Sequence, residues 1–148
     1  MLKKILLPVL LGTLLILSGG ANAENSQDFG DYVVHFNALN TNYLPPSVTR
    51  EYGLKRSKNR GMINVAVLRK VMGTTGKPVA AEISASATNL AGQKRDIKLR
   101  EVREGTAIYY IGDFPIAHEE TFRFTLHVKP ADNSDALEVK FSHQFFTE

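Results

Sequence analysis

The chain of 148 residues contains no cysteine. Thiol redox chemistry and a cysteine nucleophile are therefore excluded, and so is the lipid attachment that needs a cysteine at a cleavage site. Disulfides cannot staple the fold, so packing and backbone pairing must stabilise it. Catalytic signatures are equally scarce. There is no G-x-S-x-G elbow, and His118-Glu119-Glu120 lacks the second histidine that a zinc-binding helix would require. Internal repeats, low-complexity tracts and helical segments of useful length are missing too.

The clearest positive signal lies at the beginning. Lys3 and Lys4 precede an apolar run over residues 5–17, interrupted only by Pro8, Gly12 and Thr13, and Ala21-Asn22-Ala23 follows as a small-x-small triplet. This is the pattern of a secretory signal peptide. The run is shorter than the roughly 20 residues that cross a bilayer, so no stable membrane anchor is expected after cleavage. We expect residues 1–23 to be removed and a single domain, residues 24–148, to work in the periplasm. Lysine and arginine number 18 against 15 acidic residues, but Lys3 and Lys4 leave with the leader. A balance that close to neutral gives no argument for nucleic acid as a partner.

Beyond the leader the hydrophobic period is two, the mark of strands with one buried face. Tyr32, Val34, Phe36 and Ala38 alternate with more polar neighbours, as do Ile63, Val65 and Val67. Val79, Ala81, Ile83, Ala85 and Ala87 form a small-residue face. Phe122, Phe124, Leu126 and Val128 give the sharpest pattern, and Leu137, Val139, Phe141, His143 and Phe145 repeat it. Turn-forming clusters at residues 73–78, 91–92, 104–105, 112–118 and 130–135 separate these runs. The pattern predicts an all-β fold, an immunoglobulin-like antiparallel two-sheet sandwich of about seven strands, with a small closed barrel as the alternative.

Residues 40–61 break the rhythm, being too long and too polar for an ordinary hairpin connection. Pro45-Pro46-Ser47 is read as the start of a short helical turn with Ser47 as its cap and Gly53 as its stop. A connection of this length commonly spans from one sheet of a sandwich to the other. It also gathers Arg50, Lys55, Arg56, Lys58 and Arg60 near Tyr43 and Tyr52. Cations beside aromatic rings suit an acidic partner, so Tyr52, Lys55, Arg56, Lys58 and Arg60 are candidate partner-binding residues, against the plain alternative of a solvated loop.

Other constellations are weaker. His35 and His127 fall on the polar sides of their strands and His143 on an apolar side, which is no metal-ligand spacing, so no metal site and no cofactor are expected. Glu119-Glu120 and the Glu101/Glu104 pair lack the facing geometry of acid–base catalysis, and no catalytic residue is assigned. In Ile108-Tyr109-Tyr110-Ile111 one ring must point inward and the other outward. Tyr109 and Tyr110 are thus the candidates if the protein binds a small ligand, against the alternative of cross-strand packing.

Several separated segments carry a family likeness. Residues 36–41 (FNALNT), 52–61 (YGLKRSKNRG), 103–110 (REGTAIYY) and 119–124 (EETFRF) resemble those of small exported Gram-negative proteins grouped as a domain of unknown function, DUF4426. The resemblance spans essentially the whole chain after the leader. It implies a periplasmic, mostly β domain and brings no catalytic residues with it. The combined expectation is a noncatalytic binding or accessory module that recognises an envelope protein, with a small-ligand or carbohydrate binder as the alternative.

Overall fold

The computed structural model describes residues 25–133 and 135–148. The leader expected at residues 1–23 lies outside the described residues. Among the described residues ten strands make up two antiparallel sheets, and seven of these strands are five residues or longer. The sheets stack as the expected sandwich. The first sheet contains β1 (Asn25–Asp28), β2 (Tyr32–Asn40), β3 (Arg60–Arg69), β8 (Ala107–Pro115) and β7 (Arg100–Glu104) in that order, with β4 (Lys77–Pro78) pairing beside β3. The second sheet runs β10 (Leu137–Gln144), β9 (Thr121–Pro130), β5 (Ala81–Asn89), β6 (Lys94–Ile97).

The alternating residues behave as their period requires. Val34, Ile63, Val65 and Val67 of the first sheet meet Ala85, Ala87, Phe122, Phe124, Leu126, Val128 and Val139 of the second in one core. Phenylalanines cluster within it, where Phe114 packs at 5.8 Å from Phe122 and 5.7 Å from Phe145 between ring centroids. Edge-on geometries of this kind are the favoured ones for aromatic pairs.

Three expectations need correction. The connection after β2 does not pass to the other sheet, because β2 and β3 pair with each other from Tyr32↔Arg69 to Asn40↔Gly61. It forms a 3-10 turn (Thr41–Tyr43) and a helix α1 (Pro46–Tyr52), then folds back over the outer face of its own sheet. Ser47 is not the cap. The helix begins at Pro46, whose fixed φ and missing N–H suit the first helical position, while Gly53 ends it at φ 67° as expected. Gly112 is not a turn residue but lies inside β8, where a Cβ would stand 2.6 Å from the Lys98 carbonyl oxygen. Its bare backbone lets the segment between β6 and β7 cross close by.

Candidate functional site

The connection over residues 41–59 builds a second, smaller apolar cluster outside the sandwich. Leu54, Met62 and Ile111 are buried there, packed by Leu39, Leu44, Tyr52, Val102 and Tyr109. Ile111 points away from the main core by alternation and is nevertheless buried, because Leu54 covers it. Two buried polar residues fasten the cover. Asn40 donates through Nδ2 to the carbonyls of Lys58 and Phe146, at 3.2 and 2.8 Å. The Thr41 hydroxyl lies 2.7 Å from the Lys55 carbonyl and accepts the Ser57 N–H at 2.9 Å.

The basic cluster is divided by this packing. Arg56 turns back into its own loop, donating from Nε to the Leu44 carbonyl and from its terminal nitrogen to the Asn42 carbonyl, both at 2.9 Å. Arg60 pairs with Asp113 at 3.2 Å. Tyr52 donates its hydroxyl to Glu104, and that acceptor, with partial burial behind it, pushes the phenol up to about 12. Lys55 and Lys58 point to solvent, as does the ring of Tyr43, which is 70% exposed. Of the five candidate partner-binding residues, then, Arg56, Arg60 and Tyr52 have internal partners and the two lysines face outward.

The tyrosine pair divides as strand alternation requires. Tyr110 is 6% exposed, with its hydroxyl accepting the Ala81 N–H at 2.8 Å and donating to Glu101 at 3.1 Å. Burial is the main cause that raises its pKa. Tyr109 lies on the other face, on the wall of a cleft of about 580 Å³.

This cleft results from a fork in the first sheet. Strand β3 pairs with β8 only as far as Val65↔Tyr110, and β4 takes over at Leu68↔Pro78. Between the two partners the sheet opens. His35, Asn37, Asn64 and Ala66 form the floor as two cross-strand pairs, His35↔Ala66 and Asn37↔Asn64. Leu68, Thr75 and Pro78 line one side, and Ala107, Ile108 and Tyr109 the other. No carboxylate, lysine or arginine is among the lining residues. The Asn64 Oδ1 is buried without a hydrogen-bond partner among the described residues, a costly state in a folded protein.

In the sequence alone His35, Asn37 and Asn64 are ordinary outward residues of two strands. Their alternation was legible, but their meeting depends on the β2–β3 register and on where β8 leaves β3. Among the described residues no group of three or more histidine, aspartate or glutamate side chains is placed to hold a metal ion. His143 is half-buried against the Phe145 ring, and burial lowers its pKa below 6.5.

The family model for a domain of unknown function, DUF4426, matches residues 26–148. The chain belongs to the DUF4426 family. A solved DUF4426 family protein from Pseudomonas aeruginosa is 38% identical, with a TM-score of 0.73 over 84% of this chain and 96% of that one. FetP of uropathogenic Escherichia coli strain F11, recombinantly expressed in the periplasm, has the same fold at 12% identity, with a TM-score of 0.59 over 84% of this chain and 94% of FetP. A copper-bound variant of FetP is similar at 13% identity and a TM-score of 0.59, covering 83% of this chain and 95% of its own. No curated protein matches significantly. For this DUF4426 chain the FetP likeness establishes the sandwich and nothing about copper. No helix among the described residues is long and apolar enough to cross a membrane.

Proposed function

We propose that this DUF4426 chain is a noncatalytic periplasmic binding module that holds an uncharged, hydroxyl-bearing ligand of carbohydrate type in the fork cleft. The carrying observation is the makeup of the cleft, in which the Tyr109 ring forms a wall beside the Asn37 and Asn64 amides, with no charged aspartate, glutamate, lysine or arginine in the lining. Aromatic faces and side-chain amides suit the apolar face and the hydroxyls of a sugar ring, and a cleft of this size matches ordinary ligand sites. The leader pattern of residues 1–23 and a structural relative expressed in the periplasm support the location.

The test is a thermal-shift panel of neutral mono- and disaccharides beside sugar phosphates and sugar acids. A neutral sugar should raise the melting temperature of the mature protein, and Tyr109→Ala and Asn37→Ala should each remove the shift. A shift that survives both substitutions, or a panel with no stabilising neutral sugar, overturns the reading.

A second reading rests on the outward half of the basic loop. Lys55, Lys58 and the exposed Tyr43 ring together present cations beside an aromatic surface, a combination that suits an acidic patch on an envelope protein. Crosslinking pull-downs from intact cells decide it: a discrete partner should be lost when Lys55→Glu and Lys58→Glu are combined. Equal capture by both forms removes the loop from consideration.

A further inference from the structure

Strand β7 is an edge. One side pairs with β8 from Arg100↔Ile111 to Glu104↔Ala107, and no described strand pairs with the other. All four of its charged residues are exposed, and Val102 between them is half-buried against the outer apolar cluster. Proteins usually protect such edges with charge, since an arbitrary incoming strand then meets unfavourable neighbours. Here the order of charges has a different consequence. The strand reads Arg100-Glu101-Val102-Arg103-Glu104, so its charge pattern inverts when read backwards.

We propose that β7 is a self-docking edge that pairs antiparallel with β7 of a second copy about a two-fold axis through Val102. In that register Arg100 faces Glu104 of the other copy, Glu101 faces Arg103, and both pairs recur by symmetry. The axis stands normal to the sheet, so each residue keeps its face, as a closed isologous dimer requires. Every charge then lies directly opposite its complement, the arrangement that favours cross-strand pairing, with Val102 against itself at the centre.

The local structure holds these charges ready. Glu101 and Arg103 are already hydrogen-bonded to each other on one face, and each shifts the other towards its charged form. On the other face Arg100 donates to the Tyr52 carbonyl, and Glu104 accepts the Tyr52 hydroxyl. Both anchoring contacts therefore come from the end of α1, and no described strand occupies the outer side of the edge. No comparable order occurs on β6, where a two-fold centred on Arg95 would place that arginine against itself. A single five-residue strand buries little area, so the association is reversible and weakened by salt.

Sedimentation velocity over a concentration series of the mature protein tests the proposal. Wild type should show a concentration-dependent dimer that recedes as salt rises. Arg103→Glu alone sets Glu101 against a second glutamate, and Glu101→Arg alone sets Arg103 against a second arginine, so each variant should sediment as a monomer. Mixing the two variants restores both complementary pairs and should regenerate the dimer as a heterodimer. Because Glu101 accepts the Tyr110 hydroxyl, circular dichroism confirms that its variant stays folded. An independent probe avoids that residue altogether. In this cysteine-free chain Val102→Cys should crosslink to itself through a short bis-maleimide, whereas Arg123→Cys on β9 should not. A monomer at all concentrations overturns the proposal. So does a dimer that both charge variants retain, which would assign the contact to another edge such as β10.

Discussion

His143 sits at the one inward position of β10 filled by an ionisable side chain, with its ring 4.6 Å from that of Phe145. Burial disfavours the imidazolium and holds the folded-state pKa below the ordinary histidine value of 6.5. Between that lowered value and 6.5 the unfolded chain binds more protons than the folded one, so stability rises with pH through this window and is lost as pH falls through it. His143→Gln should therefore flatten part of the dependence of melting temperature on pH below 6.5. Thermal melts of both proteins across a pH series make the comparison. Parallel curves would mean that His143 gives up no proton-linked stability on burial.

The connection between β2 and β3 is the element whose structure departs furthest from a solvated basic loop. Arg56 closes it by capping two carbonyls that would otherwise face water, so Arg56→Ala should lower stability by about 1 kcal/mol. Lys58→Ala, which removes an outward side chain, should stay within about 0.5 kcal/mol of wild type. Chemical denaturation of the two variants distinguishes a structural arginine from a surface lysine. Equal effects would mean that the Arg56 contacts contribute nothing. The strands themselves were legible because a period of two is a local property: Phe122, Phe124, Leu126 and Val128 announce their face without reference to any other residue. Gly53 likewise marked the helix end through its own backbone freedom. The roles of Arg56, Ile111 and Gly112 were not legible, since each depends on a segment that returns from elsewhere in the chain. The same holds for the cleft. That one ring of the Tyr109-Tyr110 pair faces outward was legible, but which one was not, Asn37 and Asn64 become neighbours only through register, and the fork exists only because β3 changes partners midway.

At the scale of the whole molecule the residues that follow β10 complete the phenylalanine cluster of the sandwich core. Phe145 is fully buried there, packed against Phe114, Phe122 and Phe124. Gly61 has no side chain where it passes this ring, and a Cβ at that position would stand 2.7 Å from Phe145 Cε1. Hydrogen bonds to the backbone of residues 145–146 fix the approach on both sides. Phe145 donates its N–H to the Glu120 carbonyl at 2.8 Å, and the Phe146 carbonyl accepts from Asn40, the residue at which the long connection leaves β2. The C-terminal segment thus joins both sheets and the outer cover in two successive residues, Phe145 and Phe146. Removing residues 145–148 should cost roughly 3–5 kcal/mol, as for deletion of a large buried aromatic. That is a large part of the 5–15 kcal/mol typical of a domain. Removing only residues 147–148 sacrifices the hydrogen bond from the Thr147 N–H to His118 Nδ1 and should cost about 1 kcal/mol or less. Urea unfolding of the two truncations reads the difference as a shift in midpoint. Similar midpoints would mean that the phenylalanine cluster closes without Phe145. A large gap would locate the closure of the sandwich in that side chain and the backbone bonds beside it.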